Sequence, residues 1–227
     1  MNHQYRFSTA EAASFYELVG LRRDCRHFKR GTHVEAAQLQ RIMHAAYQSP
    51  SVGLMQPWRL LRIADAGLRE SLAACVETER QATAAALGPR SDEFLRLKVE
   101  GLKDCAEVLA LVLAPDDGTV FGRRTLAAEM VLASVGCMVQ NLWLAARVEN
   151  LGLGWVSMFE PAEVGALLRL PAGAQALGLL CLGPVDEFYE RPMLEQEGWR
   201  QSRPLSEMMM TDYWADGPEQ EEKQNGN

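Results

Sequence analysis

Arg22, Arg23 and Arg26 place three guanidinium forks within five residues, with one carboxylate, Asp24, and one thiol, Cys25, between them. Guanidinium groups hold phosphate through paired, charge-assisted hydrogen bonds, and a neighbouring carboxylate can accept from ligand hydroxyls or take a proton. Composition alone reads the cluster first as a solvated basic turn ahead of a helix, with Asp24 paired to its arginine neighbours. A second segment, Ser49-Pro50-Ser51-Val52-Gly53-Leu54-Met55-Gln56-Pro57-Trp58, is punctuated by prolines and cannot be continuous helix. Ser51, Gly53, Met55 and Gln56 fall where the chain is extended, and Gly53 lets the backbone approach a flat ligand closely. An ordinary helix-to-strand connection uses the same dipeptides. In a third segment, Gly152-Leu153-Gly154-Trp155-Val156-Ser157-Met158, the two glycines suit the C-cap of a long helix, which leaves the polar Ser157 between Val156 and Met158 without an explanation.

The three segments together suit a phosphorylated, planar ligand, and flavin mononucleotide (FMN) fits that description. Near the C-terminus, Trp199-Arg200-Gln201-Ser202-Arg203 could return another phosphate-binding arginine, Arg200 or Arg203, to the site. A surface turn explains the same run equally well. His3, His27, His33 and His44 lack metal-ligand spacing, and His44 reads as a half-buried side chain rather than a catalytic one. No metal is expected. Trp143 and Met138 read as packing residues of a buried helix.

The elements that must position these residues lie on a chain of 227 residues, enough for one well-buried core. The expectation is a single domain over 1–215 and a disordered acidic tail over 216–227. A net charge of -7 argues against a general nucleic-acid or anionic-membrane surface. The five cysteines are odd in number and contain no C-x-x-C pair, and the N-terminus lacks the apolar stretch of a secretory signal. A reducing cytoplasm is the simplest setting.

Apolar spacing predicts a first amphipathic helix over 34–48 and short strands at 60–64 and 108–113. Between the strands it predicts an alanine-rich helix over 66–87, broken by Gly88-Pro89, and a further helix over 92–104. The segment 125–150 is apolar nearly all round, which marks a central helix or one shared with a second subunit. A strand edge at 154–158, a short helix at 161–168 and an apolar strand at 176–183 follow. Strands mixed with long helices make this an α+β layer fold.

Taken in order, RRDCR, SPSVGLMQPW, VQNLWLAARVENLGLGWVSMFE and ALGLLCLGPVD with a following GWRQ resemble the flavin-dependent nitroreductase superfamily. Within it they resemble the BluB branch, the 5,6-dimethylbenzimidazole synthases, and the resemblance runs from about Leu21 to Leu205. It implies a nitroreductase-like mixed sheet wrapped by helices, an intertwined homodimer, and two flavin sites at the interface. It implies that reduced FMN is a substrate, fragmented with molecular oxygen to 5,6-dimethylbenzimidazole and erythrose 4-phosphate, and that a separate flavin reductase supplies it. Arg22, Arg23 and Arg26 take the place of the family's phosphate and ribityl grip, Asp24 that of its essential acid, and Ser157 that of its essential serine. Cys25, Ser51, Gly53, Met55, Gln56 and Trp155 would complete the flavin surface, with Val52 and Leu54 as further apolar walls. The helix over 66–87 is the expected lid. Leu54 stands where general nitroreductases usually carry asparagine, which separates the chain from a conventional FMN-dependent NAD(P)H nitro or quinone reductase. A non-catalytic flavin-binding protein is a third reading. The family's usual acidic and aromatic pair is absent from Met130-Val131-Leu132-Ala133-Ser134, and Ser202 stands where relatives often place arginine.

Overall fold

Two nearly uninterrupted apolar runs become the centre of a four-stranded sheet. The computed structural model describes residues 6–119 and 127–214, so the expected tail lies outside the described residues. In chain order the elements are α1 (Thr9–Leu21), α2 (Ala36–Tyr47), β1 (Trp58–Arg62), α3 (Ala66–Ala86), α4 (Ser91–Arg96), β2 (Glu107–Leu113), α5 (Ala127–Val148), β3 (Gly152–Val156), α6 (Pro161–Leu167), β4 (Gln175–Gly183) and α7 (Met193–Gln196). The described residues up to Glu190 form one compact unit, and those from Arg191 to Trp214 form a second.

The strand order is β1-β2-β4-β3, and every strand pair is antiparallel. Among the described residues, parallel pairing is confined to an isolated bridge between Asp24 and Leu153. The central strands β2 and β4 are buried on both faces, and their side chains alternate between two cores as strand geometry requires. Val108, Ala110, Leu179 and Cys181 meet Leu72 and Val76 of α3 and Val164 of α6. Leu109, Leu111, Leu180 and Leu182 meet Ile42 of α2 and Met138, Val139 and Leu142 of α5. Each fully buried aliphatic side chain contributes about 1.5–3 kcal/mol, so the two layers hold the sheet from both sides.

Apart from the helix expected over 92–104, the expected elements are present with small shifts at their ends. One helix was not foreseen: α1 buries no residue and so shows no apolar stripe. Its signal is local, a capping box in which Ser8 Oγ accepts the Glu11 N–H at 3.3 Å and the Glu11 carboxylate accepts the Ser8 N–H at 2.7 Å. The idea of α3 as a mobile lid is overturned, because Leu72 and Val76 are wholly buried in the core. The opposite face of α5 is exposed at Leu132, Ala133, Gly136 and Cys137. By length and composition α5 could cross a membrane. In this fold it is the core helix of one sheet face.

The helix expected over 92–104 stops at Arg96, where Leu97 turns extended with ψ 135°. Beyond it Asp104, whose side chain is 7% exposed, receives Arg30 Nε at 2.6 Å and Lys98 Nζ at 2.5 Å. Burial pushes the Asp104 carboxyl up, but Lys98 and Arg30 outweigh it and hold the group below its ordinary value. A depressed folded pKa adds stability above the unfolded value of about 3.9, and that stability is lost as pH falls through the lower folded value. Asp104→Asn is therefore expected to cost about 1.5–3 kcal/mol at pH 7 and much less at pH 3, as read by denaturant unfolding at the two pH values.

Candidate functional site

The N-terminal segment reaches the sheet by lying against β3. The Cys25 N–H donates to the Leu153 carbonyl at 3.0 Å, and Asp24 Oδ1 accepts the Trp155 N–H at 2.9 Å. Arg26 completes the clamp by donating to Asp24 Oδ1 at 3.1 Å, to Asp24 Oδ2 at 2.6 Å and to the Trp155 carbonyl at 2.7 Å. Approach this close leaves no room for side chains at positions 152 and 154 of β3. A Cβ on Gly154 would lie 2.1 Å from the Cys25 carbonyl oxygen, and one on Gly152 would lie 3.0 Å from Cys25 Cβ. The glycines expected to cap a helix are thus strand residues, required by packing rather than by a turn.

The three arginines of the cluster have different fates. Arg23 donates to the carbonyls of Gly20 at 2.7 Å, Arg22 at 2.8 Å and Glu190 at 2.7 Å. Arg26 is committed to Asp24 and β3, with its side chain 11% exposed. Arg22 lies with its guanidinium carbon 5.2 Å from the centroid of the Trp143 ring, and among the described residues its fork makes no hydrogen bond or ion pair. Of the three, Arg22 alone keeps its donors available for an anion.

Asp24 holds a structural place and a chemical capacity together. Its side chain is 41% exposed, and among the described residues Oδ2 meets a single partner, which leaves an acceptor position on that oxygen. Loss of hydration raises its carboxyl above the ordinary aspartate value against the pull of Arg26, the Trp155 N–H and Arg22. Cys25 is buried, and desolvation together with the Asp24 charge pushes its thiol up to about 11. It packs in the core beside Phe28 rather than facing solvent.

The loop between α2 and β1 carries three residues in the left-handed region: Gly53 (φ 55°), Leu54 (φ 55°) and Gln56 (φ 45°). For the two non-glycine residues that conformation is strained, and such strain concentrates at functional sites. The loop is held by Ser51 Oγ, which accepts the Gln56 N–H at 3.0 Å, and by Ser134 Oγ of α5, which accepts the Val52 N–H at 3.0 Å. Met55 is half-buried, and Leu54 is 79% exposed, so in one chain Leu54 walls nothing. Ser157 follows β3, is exposed, and makes no side-chain hydrogen bond among the described residues. Arg200 and Arg203 belong to the second unit, where both are exposed and Arg203 faces Glu207 at 3.9 Å.

Two roles escaped the sequence reading, which expected Trp143 only to pack in a buried helix and did not single out Tyr189. Trp143 donates its indole N–H to the Leu153 carbonyl at 2.8 Å and lies 6.1 Å from Trp155, centroid to centroid. The Tyr189 hydroxyl accepts the backbone N–H groups of Arg26 at 3.1 Å and His27 at 3.3 Å and meets His27 Nδ1 at 2.6 Å. The available signal for Trp143 was its own N–H, which needs a partner when buried.

The family model described as "Nitroreductase family" matches residues 20–184. A Rhodospirillum rubrum protein named 5,6-dimethylbenzimidazole synthase is 39% identical over 82% of this chain and 89% of its own length. A Rhodobacter capsulatus protein of the same name is 31% identical over 87% of this chain and 96% of its own. Among solved structures, the NADPH:FMN oxidoreductase from Vibrio harveyi, complexed with NAD+, superposes with a TM-score of 0.68. It is 20% identical, and the match covers 92% of this chain and 81% of that one.

The clamp on β3 has a direct test. Gly154→Ala should lower stability by at least the ~1–3 kcal/mol typical of overpacking, because the added methyl meets a backbone oxygen that cannot rotate away. Thermal unfolding measures it, and Gly20→Ala, at an exposed helix position with nothing within 4 Å, serves as the control expected not to destabilise.

Proposed function

Because the chain belongs to the nitroreductase family, we propose that its reaction is the one for which its relatives are named, the formation of 5,6-dimethylbenzimidazole, the lower ligand of vitamin B12. Reduced FMN is the substrate, and its oxygen-dependent fragmentation yields 5,6-dimethylbenzimidazole and erythrose 4-phosphate. The observation that carries this reading is the 39% identity, over most of both chains, with the Rhodospirillum rubrum synthase. The reduced isoalloxazine supplies the electrons that oxygen takes up. The protein supplies the grip, the geometry and a proton acceptor.

Arg22 fits the phosphate because, among the described residues, its fork is unpaired, and it is held over an aromatic face. Asp24 Oδ2 takes a proton from a ribityl hydroxyl, while Oδ1 stays bound to the Trp155 N–H and keeps the carboxylate in place. Raised basicity favours that role, since a base works best when its pKa lies nearer the working pH. Ser157 donates its hydroxyl to the flavin ring edge. The left-handed backbone at Gly53 and Leu54 lies against the ring plane, and the exposed Leu54 side chain closes the site only against a second copy. The small residues on the open face of α5 support the same homodimer. A separate cytoplasmic flavin reductase provides reduced FMN.

Chemically reduced FMN mixed with the protein in air, with products separated by chromatography and identified by mass, tests the reaction. The expected product is 5,6-dimethylbenzimidazole. Oxidised FMN and hydrogen peroxide alone, from protein that binds reduced FMN, would mean a conventional reductase or a carrier. Asp24→Asn keeps shape and removes the base, so turnover should fall about 10²–10⁴-fold. Wild-type activity should decline toward acid with a midpoint above the ordinary aspartate value of 3.8, and that limb should vanish from the residual activity of the variant. An unchanged rate in Asp24→Asn would remove Asp24 from the proton transfer.

A further inference from the structure

Trp143 occupies an unusual position for a helix residue that faces the sheet. Its indole N–H is fixed by the Leu153 carbonyl at 2.8 Å, and the same oxygen receives the Cys25 N–H at 3.0 Å. One carbonyl therefore ties α5, β3 and the arginine segment together. On the ring lies the Arg22 guanidinium, 5.2 Å from the centroid. Arg22 is the residue that ends α1, with its own N–H bound to the Leu18 carbonyl at 3.0 Å. Both ends of the side chain are thus placed, the backbone by the helix end and the guanidinium by the ring.

A guanidinium held over an aromatic face spends none of its N–H donors on that contact. The attraction acts through the face, and all five donors lie in the guanidinium plane, where they can engage a planar or tetrahedral anion in paired fashion. Hydrogen bonding to a carboxylate or carbonyl would hold the side chain equally still but would consume the fork, as Arg23 and Arg26 demonstrate. Restricting the side chain before the ligand arrives also lowers the entropy cost of binding.

We propose that Trp143 is the positioning residue for phosphate recognition: it holds Arg22 in place with its donors unspent, and so sets the preference of this site for a phosphorylated flavin over the same flavin without phosphate. The inference rests on the reading of the ligand as reduced FMN. It adds a residue that touches neither phosphate nor ring yet decides between two substrates that differ only at the phosphate.

Anaerobic titration calorimetry with reduced FMN and reduced riboflavin tests it without turnover. Wild type should bind FMN more tightly than riboflavin. Trp143→Leu should lower that ratio by about three- to thirtyfold, the range spanned by cation–π attraction, while leaving riboflavin affinity unchanged. Trp143→Phe keeps a face without the N–H and should retain part of the ratio. Arg22→Ala should abolish the preference, and adding Trp143→Leu to it should cost nothing more. Arg22→Lys keeps the charge but not the fork, and should lose most of the preference even if the Trp143 variants fold poorly. A wild type that binds neither flavin, or both equally, overturns the proposed function and this inference with it. A wild type that prefers FMN, with the ratio preserved in folded Trp143→Leu or in Arg22→Lys, overturns the inference alone. Equal loss of both flavins in folded Trp143→Leu also overturns it, since that is the mark of a general structural role.

Discussion

The Leu153 carbonyl is the point on which the site is built. It accepts from Cys25 on one side and from the Trp143 indole on the other, so a loop segment, an edge strand and the longest helix share one oxygen. Backbone carbonyls have two lone pairs, and an edge strand has unpaired groups to offer, so such a junction needs no special residue at its centre. What it needs is clearance around it. Gly152 and Gly154 provide that clearance on either side of Leu153, and their absent side chains let Asp24 reach the Trp155 N–H.

Much of the fold was legible because the sheet is its most apolar part. Val108 to Leu113 and Ala176 to Gly183 could hardly be anything but buried strands, and α2 carries its apolar residues at helical spacing. The failure at α1 has a physical cause. Its apolar side chains, among them Phe15, Tyr16 and Val19, are exposed in the single chain, so periodicity has no buried face to report. The missed stop at Arg96 has a similar origin: Asp104 is held by Arg30, which is distant in sequence, and a window along the chain cannot see that partner.

The site was legible as a set of segments but not as a set of roles. RRDCR presents three arginines that are equivalent in composition, and only tertiary neighbours separate the two that are spent on the fold from the one that is not. The carbonyls of Gly20 and Glu190 occupy Arg23, and Asp24 with β3 occupies Arg26. The paired glycines look the same whether they end a helix or admit a neighbouring backbone. In the loop after α2, Gly53 announces a left-handed conformation, whereas Leu54 and Gln56 adopt it against their own preference and give no sign of it in the sequence.

The electrostatics of the cluster follow from the same division of labour. A protein of net charge -7 repels a phosphate dianion at long range, so binding depends on local positive potential. Within the cluster Asp24 cancels part of that potential, and Arg26, bound to it through both carboxylate oxygens, returns most of its charge to the fold. The Arg26–Asp24 pair is then nearly neutral as a unit, which lets a carboxylate sit close to a phosphate site without repelling it strongly. The cost of this arrangement appears in Asp24, whose loss of hydration is only partly offset and whose affinity for a proton rises as a result. A carboxylate that is oriented by the fold, incompletely solvated and still open at Oδ2 is better suited to accept a proton than a fully solvated one. The clamp that fixes the backbone and the basicity of the group at its centre are consequences of one set of contacts.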